Sequence, residues 1–167
     1  MVRSEGCHRK RSEALTQILS LALLLAWSSL AVASVLPRAV NLKVLAGVAK
    51  AQHAPIALLF WSPGCRYCAV VERDFLQPAS ADPRFRHVIF RRIDIKSGKA
   101  LWDFAGHVTT EARFAKRVGV TLVPDVRFYD AKGQKAAPEM LGLSTPSFYG
   151  SYLDTALRKA QKMCQRL

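Results

Sequence analysis

Two cysteines three residues apart, Cys65 and Cys68, are the side chains best suited to chemistry, because a C-x-x-C pair can close to a disulfide and reopen to two thiols. They follow the apolar run at residues 56–61 and the turn Ser62-Pro63-Gly64, and they precede a segment with helical spacing. At such a strand-to-helix turn the amide donors and positive dipole end of the helix favour an anion. Cys65 is therefore expected to ionise near neutral pH, with Cys68 one turn inside. Arg66 adds a cation beside Cys65, which favours the thiolate and makes the disulfide easier to reduce. Tyr67 is expected to shield the sulfurs or touch the substrate, and Trp61 to support the site by packing. Glu72 lies four residues after Cys68 and seven after Cys65, near one helix face. A carboxylate there can pass a proton to or from Cys68 through water, or simply pair with a nearby base.

The elements that must hold these residues follow from periodicity. Asn41 can cap a helix reaching residue 51, with Leu42, Leu45, Val48 and Ala49 on its apolar face. Residues 56–61 are apolar on both faces, as a central strand between helices requires, and the next helix is expected over 65–76. A second strand is expected over 88–95, a polar loop or insertion over 96–109, and a helix over 111–118 capped by Thr109 or Thr110. Residues 125–129 and 139–143 are expected to form a hairpin around Asp130-Ala131-Lys132-Gly133. A last helix opens at Thr145-Pro146 and presents Phe148, Tyr152, Ala156 and Ala160 on one side. The result is an α/β domain with a parallel half followed by an antiparallel hairpin.

Composition places that domain. The 167 residues are half apolar, which suits one packed domain without disulfide staples. Arg3, Arg9, Lys10 and Arg11 lead into the apolar stretch 18–27 and then Ala31-Val32-Ala33, the pattern of a signal peptide cleaved after Ala33. The expected organisation is a signal peptide at 1–33, a short linker at 34–40 and one domain at 41–167. An uncleaved leader is the alternative, since residues 14–36 are about long enough to anchor the protein in a membrane. Export implies an oxidising space such as a periplasm, where disulfides persist. Cys7 leaves with the leader, and Cys164 is left as a free thiol, an intermolecular bridge or a resolving thiol. The net charge is +13, of which about +11 remains after residue 33. These basic residues are scattered without interleaved aromatics, which describes a solvated basic surface and not a nucleic-acid site.

Two motifs, Trp61-Ser62-Pro63-Gly64-Cys65-Arg66-Tyr67-Cys68 and Val118-Gly119-Val120-Thr121-Leu122-Val123-Pro124, give the chain a resemblance to the thioredoxin superfamily over residues 41–160. Within it, the chain is similar to exported thioredoxins associated with sulfur oxidation, which also carry an Asp-Phe-x-Gly-like loop, here Asp103-Phe104-Ala105-Gly106. The resemblance implies a three-layer α/β/α sandwich with a mixed central sheet and a cis-proline loop. In it Pro124 packs against the disulfide, and the backbone of Val123 offers an edge to an extended substrate. It also implies a buried Asp six residues before the first cysteine with a Lys partner on the next strand. Here those places hold Leu59 and Phe90, so the usual proton relay to the second cysteine is absent and Glu72 is the candidate replacement.

The function expected from these residues is thiol–disulfide exchange in the periplasm. Cys65 attacks, Cys68 resolves, no cofactor is required, and the resemblance favours a reductase fed by a membrane electron donor. Its substrates would be disulfide-bearing proteins or small molecules, with no stable membrane insertion once the leader is removed. The alternatives are a thiol oxidase or isomerase for exported proteins, a copper- or zinc-handling protein using the same pair, and a binding module that merely holds peptides at Pro124. A zinc site wants four ligands, and His53, His87 and His107 are spread over separate segments, so no metal site is assigned.

Overall fold

The computed structural model describes residues 35–143 and 145–166. The expected leader at 1–33 lies outside the described residues. Among the described residues, no helix is long and apolar enough to cross a membrane.

Ahead of the first helix, the chain runs beside the sheet. Arg38 bridges Arg92 in parallel, Ala39 N–H donates to the Arg92 carbonyl at 2.9 Å, and Arg92 N–H donates to the Pro37 carbonyl at 3.0 Å. Leu36 and Ala39 are buried, so residues 36–39 cover an edge that would otherwise expose unpaired amides. Helix α1 (Leu42–Gln52) follows, with the Asn41 side chain accepting from Val44 N–H at 3.0 Å. It buries Leu42, Ala46 and Ala49 and turns Val48 outward, because the apolar stripe tracks small residues that let the helix lie close to the sheet.

Strand β1 (Ile56–Trp61) leads to the cysteines, and one long helical stretch carries them. It comprises α2 (Arg66–Val70), a wider π-type turn at Val71–Leu76 and α3 (Gln77–Ala81), so it runs five residues past the expected end. After a short turn at Pro83–Phe85 comes β2 (Ile89–Asp94), parallel to β1. The stretch expected as a loop contains a small hairpin, β3 (Ala100–Trp102) with β4 (Val108–Thr110). Helix α4 (Glu111–Arg117) is capped by Thr110, whose hydroxyl accepts from Arg113 N–H at 3.2 Å. Strands β5 (Asp125–Tyr129) and β6 (Lys135–Leu141) pair antiparallel, and α5 (Pro146–Cys164) closes the chain.

The main sheet has the order β2-β1-β5-β6, parallel between β1 and β2 and antiparallel elsewhere. Alternation along the strands feeds two cores. Leu59, Val126 and Phe128 pack with Val71, Leu76, Leu153 and Leu157 on one face; Leu58 and Phe60 pack with Leu42, Phe114 and Ala115 on the other. Each fully buried Leu, Val or Phe among them contributes about 1.5–3 kcal/mol relative to an exposed one. This is the expected three-layer α/β/α sandwich with a mixed sheet. On α5 the buried stripe is Tyr149, Leu153, Ala156, Leu157 and Ala160, while Phe148 and Tyr152 are exposed. The expected face was thus one residue out of phase at its N-terminal end. Between β5 and β6, Gly133 sits at φ 75° with Phe104 Cγ only 2.7 Å from where a Cβ would lie, so the turn closes onto the Asp103–Gly106 loop.

Candidate active site

The site grows from the end of β1. Central strands end where the sheet stops covering them, and here Ser62-Pro63-Gly64 turns the chain, with Gly64 at φ 77° and Cys65 N–H donating to the Ser62 carbonyl at 3.1 Å. Cys65 occupies the N-cap of α2, and its Sγ accepts from Cys68 N–H at 3.1 Å. The two sulfurs are joined in a disulfide 2.05 Å long. Burial differs between the two residues: Cys65 is partly exposed at the helix mouth, whereas Cys68 is 2% exposed. Arg66 and Tyr67 also face solvent, Tyr67 at 62%. The Val123–Pro124 bond is cis, and the Pro124 carbonyl accepts from Gly142 N–H at 2.7 Å, which ties the loop to the end of β6.

Beside Cys65 lies a cavity of about 370 Å³ lined by Trp61, Cys65, Arg66, Glu72 and Arg92 among others. Glu72 is buried, and both its oxygens are engaged: Oε1 accepts from Leu36 N–H at 2.7 Å and Oε2 from Arg92 at 3.3 Å. The Arg92 guanidinium also lies over the Trp61 ring, 4.6 Å from its centroid. Glu72 therefore joins three elements, the entering segment, β2 and the cysteine helix. On the other face, Arg127 donates to Asp125 Oδ2 at 2.8 Å, to the Val118 carbonyl, and to the Gly119 carbonyl at 3.3 Å. Burial pushes the Asp125 carboxyl above the usual carboxylate range against the pull of Arg127. Among the described residues, no group of three or more His, Cys, Asp or Glu side chains is placed to hold a metal ion.

A family described as a thioredoxin-like domain matches residues 42–157. The chain belongs to the thioredoxin-like family. Solved structures agree at the level of fold. Trxlp from Edwardsiella tarda EIB202 is 21% identical with a TM-score of 0.51, covering 72% of this chain and 98% of its own. Mitochondrial thioredoxin 3 from Saccharomyces cerevisiae, in its oxidized form, is 15% identical with a TM-score of 0.51, covering 74% and 93%. The periplasmic thioredoxin SoxS from Paracoccus pantotrophus is 17% identical, covering 64% and 98%, but with a TM-score of 0.44. No curated protein matches the sequence. A thioredoxin-like domain bearing a C-x-x-C disulfide is a thiol–disulfide oxidoreductase, and that is the class of this chain.

Within this thioredoxin-like domain, Leu59 and Phe90 are both buried in the same apolar cluster, so neither place carries a charge. The charged groups near the site sit elsewhere, as Glu72–Arg92 and Asp125–Arg127. Sequence reasoning reached Glu72 through its helical spacing but missed Arg92, Asp125 and Arg127. One signal was available: Asp125-x-Arg127 places two charges on one face of a strand that is otherwise apolar. Arg92 gave none, because its partner lies 20 residues away on another element.

Proposed function

We propose that this protein is an exported thiol–disulfide oxidoreductase that reduces disulfides in the periplasm. The observation that carries it is the asymmetric disulfide, with Cys65 partly exposed at a helix N-terminus and Cys68 buried. In the reduced protein the Cys65 thiolate attacks one sulfur of a substrate disulfide, forming a mixed disulfide and releasing the other sulfur as a thiol after it takes a proton. Cys68, once deprotonated, attacks Cys65 Sγ and expels the second substrate sulfur. Two electrons pass to the substrate, and Cys65–Cys68 ends oxidised. Arg66 and the helix end stabilise the attacking anion. Tyr67 and the Val123 edge meet the substrate, and Pro124 and Trp61 support the site. Glu72 supports it by holding Leu36 and Arg92 against the cysteine helix.

The direction rests on the resemblance to exported thioredoxins of sulfur oxidation, which also supplies the partner class, a membrane electron donor that returns the pair to dithiol. The leader-like pattern at 1–33 supports delivery to the periplasm, with an uncleaved leader as the membrane-anchored alternative. The direction is tested by equilibrating the mature domain in glutathione buffers and counting Cys65–Cys68 disulfide by mass spectrometry. A reductase is expected nearer to about −270 mV than to about −120 mV, the values of thioredoxin and of the strongest bacterial oxidant. A potential at the upper end would make the protein a thiol oxidase instead.

A further inference from the structure

Residues 119–123 connect α4 to cis-Pro124 and carry the backbone edge on which the exchange reading places the substrate. Both ends of this stretch meet one guanidinium. Arg127 binds Asp125, the residue after Pro124, through Nε and a terminal nitrogen, each 2.8 Å from Oδ2. Its terminal nitrogens also donate to the carbonyls of Val118 and Gly119, where α4 ends. Asp125 is 2% and Arg127 7% exposed. Two residues apart on a strand, they share a face, and the register with β1 sets them opposite Phe60 and Leu58, on the side that α4 covers. The guanidinium lies 5.6 Å from the Phe60 ring centroid.

Stability alone does not account for a buried ion pair here, because apolar residues of similar volume commonly do as well or better. What the pair adds is direction. A guanidinium fork presents several fixed N–H groups at once, and the last carbonyls of a helix lack helical partners and carry its negative dipole end. We propose that Arg127, held by Asp125, is a positioning residue that fixes residues 119–124 so that the Val123–Pro124 edge meets the substrate. This rests on the exchange reading. Arg127 touches neither sulfur and takes no part in electron transfer.

Arg127→Lys keeps a charge beside Asp125 and gives up the fork. Turnover is measured with a disulfide-bonded extended peptide and with hydroxyethyl disulfide, a compact probe that needs no backbone edge, while amide exchange is followed over residues 119–124. For the peptide, KM is expected to rise about tenfold with kcat nearly unchanged, the scale of one lost charge-assisted hydrogen bond. Exchange over 119–124 becomes faster, and both the rate with hydroxyethyl disulfide and the Cys65–Cys68 potential stay as in wild type. Unchanged peptide KM and unchanged exchange would overturn the proposal. Asp125→Leu with Arg127→Leu gives the second check: a wild-type melting temperature with fast loop exchange supports positioning. If peptide KM and slow exchange return with it, the pair only fills the core and the proposal fails. Should the wild-type protein turn over neither probe, the exchange reading falls, and loop exchange in the variants still decides the role of Arg127.

Discussion

A carboxylate four residues after a resolving cysteine can serve chemistry or architecture, and its partners show which role geometry favours. Glu72 spends one oxygen on Leu36 N–H and the other on Arg92, so both are committed to joining neighbouring elements. Glu72→Gln keeps the shape and leaves Arg92 without its counter-ion. The expected outcome is a loss of about 1–3 kcal/mol in denaturant unfolding, the cost of leaving a partly buried charge unpaired. The pH dependence of disulfide resolution should stay unchanged, and a shifted profile would instead make Glu72 the proton path to Cys68. The candidate site residues were legible in the sequence: Cys65 and Cys68 by their spacing, Pro124 by its motif, Glu72 by helical period. Arg92 and Leu36 were not, because their roles depend on which strands become neighbours.

The elements show the same division. Long periodic segments such as α1 and α5 were readable, whereas β3 and β4, three residues each, are too short to show alternation. Residues 36–39 read as a linker because they carry no pattern of their own; they are ordered by the open edge of β2. Helix α5 decides the fate of the one free thiol among the described residues. Cys164 is free and lies buried in its last turn, and burial pushes the thiol up to about 11. Native protein at pH 8 is therefore expected to react with iodoacetamide at Cys164 far more slowly than unfolded protein, and to run as a monomer on non-reducing gels. The sign of the pH effect follows. A thiol held protonated in the fold but ionising near 9.0 when unfolded adds stability below about pH 9, and that stability is lost as pH rises toward 11. A flat melting temperature between pH 8 and pH 11 would contradict this.

At the scale of the whole molecule, a basic chain places one accessible sulfur at the mouth of a thioredoxin-like sandwich and buries the other. The fold was legible as an order of elements, because a parallel pair followed by an antiparallel hairpin leaves few arrangements. The charge was legible only as a sum, since +13 says nothing of the two ion pairs that sit beside the site. Division of labour between the sulfurs is the central claim, and trapping reads it without knowledge of the natural partner. Purified Cys68→Ser protein, reduced and mixed with a disulfide-bonded protein, is expected to accumulate a covalent mixed disulfide through Cys65, while Cys65→Ser accumulates none and wild type releases its partner as two thiols. Equal trapping by both variants, or none by Cys68→Ser, would contradict attack by Cys65 and resolution by Cys68.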